Sequence, residues 1–84
     1  MKRYFKYESE SYLGEGTKWI EFEGELATRQ VEKYGDRWFS SRQDYHPEIG
    51  LGLFDQSFSD LHLRPDEEIT AAEFEEVWAE SGRQ

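Results

Sequence analysis

The chain has 84 residues, no cysteine and a net charge of −9. That length makes one small domain, residues 1–84, with a modest core. The lack of cysteine excludes disulfides and thiol catalysis. Six Phe, five Tyr and three Trp exclude a disordered composition and supply most of the apolar area available for burial.

The charge is unevenly spread along the chain. Residues 1–42 carry eight Lys/Arg and eight Asp/Glu, which cancel. Residues 43–84 carry Arg64 and Arg83 against eleven acids, which leaves −9. A nucleic-acid binder needs cations to displace phosphate counterions, so nucleic acid and anionic membrane are excluded as partners. A basic protein is the partner whose sign fits, although acidity also serves solubility alone. No apolar run approaches the ~18 residues of a membrane span. Lys6 and Glu8 interrupt the start of the chain, so no export signal is read and a cytoplasmic location is expected.

Residues 3–9 mix aromatic and charged side chains as a strand does. Gly14-Glu15-Gly16 reads as a loop. Residues 19–23 read as a second strand, with Ile20 and Phe22 on one face and Trp19, Glu21 and Glu23 on the other. Gly24 permits a turn or bulge. Residues 26–34 and 37–43 flank Gly35-Asp36, which suits a two-residue type II′ hairpin. That turn sets Tyr34 opposite Arg37, Lys33 opposite Trp38, Glu32 opposite Phe39 and Val31 opposite Ser40. Val31 and Trp38 then share one face, and Tyr34 and Phe39 the other.

Residues 44–64 have no single period. Ile49, Leu51 and Leu53 alternate with Gly50 and Gly52 as a short strand would. Phe54, Phe58 and Leu61 have helical spacing, and Leu61 and Leu63 alternate around His62. A short element held down by these apolar residues is expected, because long structureless loops are unusual in small domains.

The last segment is a helix. Thr70 is the N-cap and Glu73 completes a capping box, with Ile69 and Phe74 as a hydrophobic staple. Phe74, Val77 and Trp78 form an apolar stripe, Glu75, Glu76 and Glu80 face water, and Gly82 falls just past the end. A helix this short needs a sheet to dock on.

No reactive constellation stands out. His46 and His62 lie in no zinc-ligand spacing; His46 beside Pro47 reads as a turn residue and His62 as a solvent-facing strand residue. There is no nucleophile elbow, dinucleotide fingerprint or calcium loop, and no cofactor is expected. One helix covers only one sheet face, so some aromatic ring is expected on the other. Arg29, Lys33, Arg37 or Arg42 would flank it, as a binding patch or simply as ring packed on charged stems.

Two stretches carry a resemblance. Arg29-Gln-Val31-Glu32-Lys-Tyr34-Gly-Asp36 and Ile69-Thr70-Ala-Ala-Glu73-Phe74-Glu75-Glu-Val77-Trp78 resemble a family of small bacterial domains of unknown function, some of them regarded as immunity proteins of polymorphic toxin systems. The resemblance covers the hairpin and the last helix, not the middle. It implies a non-enzymatic protein that binds and blocks a partner.

The expected fold is α+β, an antiparallel sheet of about four strands with one C-terminal helix packed on one face. The expected function is an acidic, non-enzymatic protein-binding module, in its most specific form an immunity-type inhibitor of a basic toxin. Asp55, Asp60, Asp66 and Glu67 are the candidate partner-binding residues. The alternative is a small enzyme or enzyme subunit using surface acids and histidines.

Overall fold

A computed structural model describes residues 1–83. Three hairpins in succession join β1 (Lys2–Ser11), β2 (Gly14–Glu23), β3 (Leu26–Tyr34) and β4 (Arg37–Ser40). After a long connection come β5 (Tyr45–His46), β6 (Gly50–Leu51), β7 (Glu68–Ile69) and α1 (Ala71–Ser81). The main sheet is antiparallel, in the order β4-β3-β2-β1-β7, and β5 pairs with β6 separately. The fold is therefore α+β, with the short β7 as a fifth strand beside the four long ones.

The turns follow the glycines. Gly24 and Gly35 have positive φ, 62° and 64°, and the residue after each does not, as type II′ turns require. The β3–β4 register is the one that turn dictates, with Val31 opposite Ser40 and Lys33 opposite Trp38. The first hairpin differs from expectation. Its turn is Tyr12-Leu13, and Gly14-Glu15-Gly16 belongs to β2 rather than to a loop. The β2–β3 ladder slips between Glu21 and Phe22, which leaves Thr28 as an extra residue; its hydroxyl donates to the Glu21 carboxylate at 2.8 Å. β4 ends at Ser40, not at 43, because the chain turns there toward β5.

Alternation along the strands builds two apolar clusters, one per face. On the helix face Trp19 and Val31 meet Phe74, with Tyr4, Trp38, Ile69, Val77 and Trp78 packed around them. Thr70 caps the helix, its Oγ accepting the Glu73 N–H at 3.1 Å, but Glu73 returns no bond to Thr70, so only half of the capping box forms. Glu75 does not simply face water. It shares Arg29 with Glu21, which is 1% exposed; the guanidinium bonds Glu21 at 2.9 and 2.7 Å and Glu75 at 3.1 and 2.6 Å. Arg29 holds the Glu21 carboxyl down at about 2.

The other end of the helix is closed from outside. Arg42 Nη2 donates to the Trp78 carbonyl at 2.6 Å and Nη1 to Ser81 Oγ at 2.8 Å, with the guanidinium 3.8 Å from the Trp78 ring centre. A cation there opposes the negative end of the helix dipole. Gly82 follows the helix as expected, yet its φ is an ordinary −79°. Its service is room, since a Cβ would lie 3.0 Å from the Arg42 guanidinium.

The second face is not bare. Residues 44–67 run back across it, and Phe54, Phe58, Leu61 and Leu63 pack on Phe5, Ile20 and Phe22. The Phe22 and Phe58 rings meet edge to face at 5.0 Å, and Phe5 and Phe58 at 5.4 Å. The expected helical spacing of Phe54, Phe58 and Leu61 amounts to one 3₁₀ turn at Phe58–Asp60, and the expected strand at 49–53 to Gly50–Leu51. On the two sheet faces the exposed-ring expectation gives way to rings that are covered or stacked on cations, while the exposed rings are Tyr12 in the first turn and Tyr45 in β5. Arg29 lies over Phe74 and Trp78, Lys33 over Trp38, Arg37 over Phe39 and Arg42 over Trp78.

Candidate partner-binding surface

Folding redistributes the charge that looked one-sided along the chain. Arg3 binds Glu68, Arg29 binds Glu75 and Arg37 binds Glu48, so cations of the first half neutralise acids of the second. Lys2 and Lys18 lie near Glu21 and Glu32, Arg64 near Asp66, and Arg83 on Glu80. Lys6 and Lys33 sit over the rings of Trp19 and Trp38, at 6.0 and 4.8 Å. Every Lys and Arg among the described residues is thus engaged.

Several carboxylates are not. Glu8, Glu10 and Glu15 are exposed at the far end of the β1–β2 hairpin and make no hydrogen bond or ion pair among the described residues. Glu10 and Glu15 are direct cross-strand partners, and Glu8 follows on the same face. Like charges set opposite each other in a sheet are unfavourable. With Thr17 these three line an open groove of about 410 Å³ beyond the footprint of the helix. Lys6, the neighbour of Glu8 on this face, is turned to Trp19 instead.

Asp55, Asp60, Asp66 and Glu67 lie on the segment that covers the opposite face. Asp55 is exposed and unpaired among the described residues. Asp60 and Glu67 each reach back three residues to accept an N–H, from Ser57 at 3.2 Å and from Arg64 at 2.8 Å. Asp66 lies 3.5 Å from Arg64. Two of the four therefore hold their own turns. Glu8, Glu10 and Glu15 escaped the sequence reading because charge summed over residues 1–42 cancels; the spacing of three acids around Gly14 was the available signal.

The histidines take other roles. His46 is buried in β5, not in a turn; its Nε2 lies 2.8 Å from the Ser40 carbonyl oxygen and its ring stands edge-on to Phe39. His62 is exposed, as expected, but lies outside any strand with φ 52°. Among the described residues no group of His, Asp or Glu is placed to hold a metal ion. A buried network on the sheet joins Glu32 to Tyr34 Oη at 2.6 Å and to Gln30 Nε2 at 2.8 Å, while Gln30 Oε1 accepts the Phe54 N–H. These bonds pin the covering segment to the sheet. Burial and the neighbouring Glu32 push the Tyr34 hydroxyl up to about 12, so it stays a donor.

Fold and surface together define a small α+β domain whose sheet carries an apolar cover on each face and whose unneutralised charged groups, among the described residues, are carboxylates. No helix among the described residues is long and apolar enough to cross a membrane. No family model, curated protein or solved structure matches the chain.

Proposed function

We propose that this chain is a non-enzymatic module that binds a basic protein, with the β1–β2 tip as the first point of contact. The observation that carries the reading is the contrast in pairing. Every cation among the described residues is engaged, whereas Glu8, Glu10 and Glu15 crowd one another and make no ion pair among the described residues. An incoming Lys or Arg relieves that repulsion, so the free chain is poised for a cationic partner. Asp55, Asp60, Asp66 and Glu67 extend the field on the other side. The most specific form is an immunity-type inhibitor of a basic toxin acting in the bacterial cytoplasm, in line with the resemblance of the hairpin and last helix.

The test is the association rate with the isolated partner at ~0.05 M and ~0.5 M salt, where screening lengths differ severalfold. The rate should fall steeply with salt. Glu8→Gln, Glu10→Gln and Glu15→Gln together should slow it more than neutralising Asp55, Asp60, Asp66 and Glu67, with both variants still folded. A rate indifferent to salt and to both sets would leave the acidity as a solubility device.

A further inference from the structure

The long edge of β1 is mostly unpaired. β2 covers all ten residues of the strand, but β7 covers only Tyr4 and Phe5. Ser11 and Gly14 close a two-residue turn, so they form a hydrogen-bonded pair, and odd-numbered residues of β1 point their main-chain groups at β2. Even-numbered residues point theirs outward, as the pairing of Tyr4 with Ile69 requires. The N–H and C=O groups of Glu8 and Glu10 therefore face outward beyond the end of β7 and pair with no strand among the described residues, whereas Lys6 adjoins the Phe5–Glu68 pair and the turn at Pro65–Glu67. The β1–β2 register runs without a bulge, and no proline interrupts the strand. The Pro65–Glu67 turn lies beside the edge at Lys6; beyond it the edge is blunted by the acidic side chains of Glu8 and Glu10.

We propose that the basic partner docks by adding an extended strand to this edge, with Lys or Arg at alternate residues. The proposal rests on the basic-partner reading and deepens it. A strand laid along Glu8–Ser11 would pair its main chain with the outward groups of Glu8 and Glu10. Its side chains opposite Glu8 and Glu10 would fall on their face, next to Glu15. Cations there meet three carboxylates; side chains of the other parity meet Ser9 and Ser11, which are half-buried. A second copy of this chain fits poorly, because antiparallel pairing centred on Glu8 sets that carboxylate against its equivalent.

The probe is a blocked nine-residue peptide alternating Lys with Val and Thr, titrated into isotopically labelled protein and followed by NMR. A second peptide has the same sequence and charge but is N-methylated at the lysine nitrogens, which removes the ladder donors. The first should shift the amides of Glu8 and Glu10 and protect them from exchange. The second should bind weaker by about tenfold or more, the loss expected for several ladder bonds. Equal affinity of the two peptides, both salt-sensitive, would overturn strand addition and leave the basic-partner reading standing. Failure of both to bind at ~0.05 M salt, where screening is weak, would overturn the two together.

Discussion

One face of the sheet is closed by a helix and the other by irregular chain. α1 lays Phe74, Val77 and Trp78 over Trp19 and Val31; residues 54–63 lay Phe54, Phe58, Leu61 and Leu63 over Phe5, Ile20 and Phe22. Both covers work, since Phe74, Ile20 and Val31 are fully buried and Phe5 and Phe22 almost so. They differ in what sets the spacing of their apolar residues. A helix brings its own period, so its stripe is fixed before it meets the sheet. The irregular cover takes its spacing from the surface it touches. It also needs outside help, from Gln30 to the Phe54 N–H and from Glu25 to Ser59.

The largest expected effect is on the helix face. Phe74→Ala removes a ring with no exposure and should cost about 3–5 kcal/mol in denaturant unfolding. On the loop face Phe58→Ala should cost less, about 2–3 kcal/mol, because Phe58 is partly exposed. Equal costs would show that the irregular cover packs as firmly as the helix. A cost under ~1 kcal/mol for Phe58→Ala would show that it barely covers the sheet.

Acid acts on the helix face through the two carboxylates paired with Arg29. The Glu21 carboxyl is held at about 2 when folded, against an ordinary 4.5, so its contribution is complete above pH 4.5 and is lost as pH falls toward 2. Glu75 is lowered by the same Arg29 and acts with the same sign. Stability should decline through that window, and Glu21→Gln should flatten the decline as read by unfolding at a series of pH values. The smallest effect is on the opposite face. The Tyr7 hydroxyl is buried without a hydrogen-bond partner among the described residues. Tyr7→Phe should leave stability unchanged or raise it by about 1 kcal/mol. A loss of that size in thermal unfolding would show that the hydroxyl is bonded.

This contrast also separates what could be read from the residues from what could not. Gly35-Asp36 fixed the β3–β4 pairing because a two-residue turn allows one register. Thr70 and the Phe74–Trp78 stripe marked the helix for equally local reasons. The covering role of residues 44–67 was hidden, because Phe54 and Phe58 make sense only against Phe22 and Phe5 across the sheet. The proposed binding surface was hidden in the same way. Nothing local reveals that Lys6 turns to Trp19 or that Arg29 is spent on Glu21 and Glu75, which leaves Glu8, Glu10 and Glu15 unopposed.

Closure of both faces is the premise behind binding at the tip and edge, and aromatic proton contacts measured by NMR test it most directly. Contacts from Phe58 to both Phe22 and Phe5 should appear alongside those from Phe74 to Tyr4, since the ring centres lie 5.0, 5.4 and 5.3 Å apart. A spectrum holding the Phe74–Tyr4 contacts but none from Phe58 would contradict closure. The face bearing Phe5, Ile20 and Phe22 would then be open, and the better docking surface.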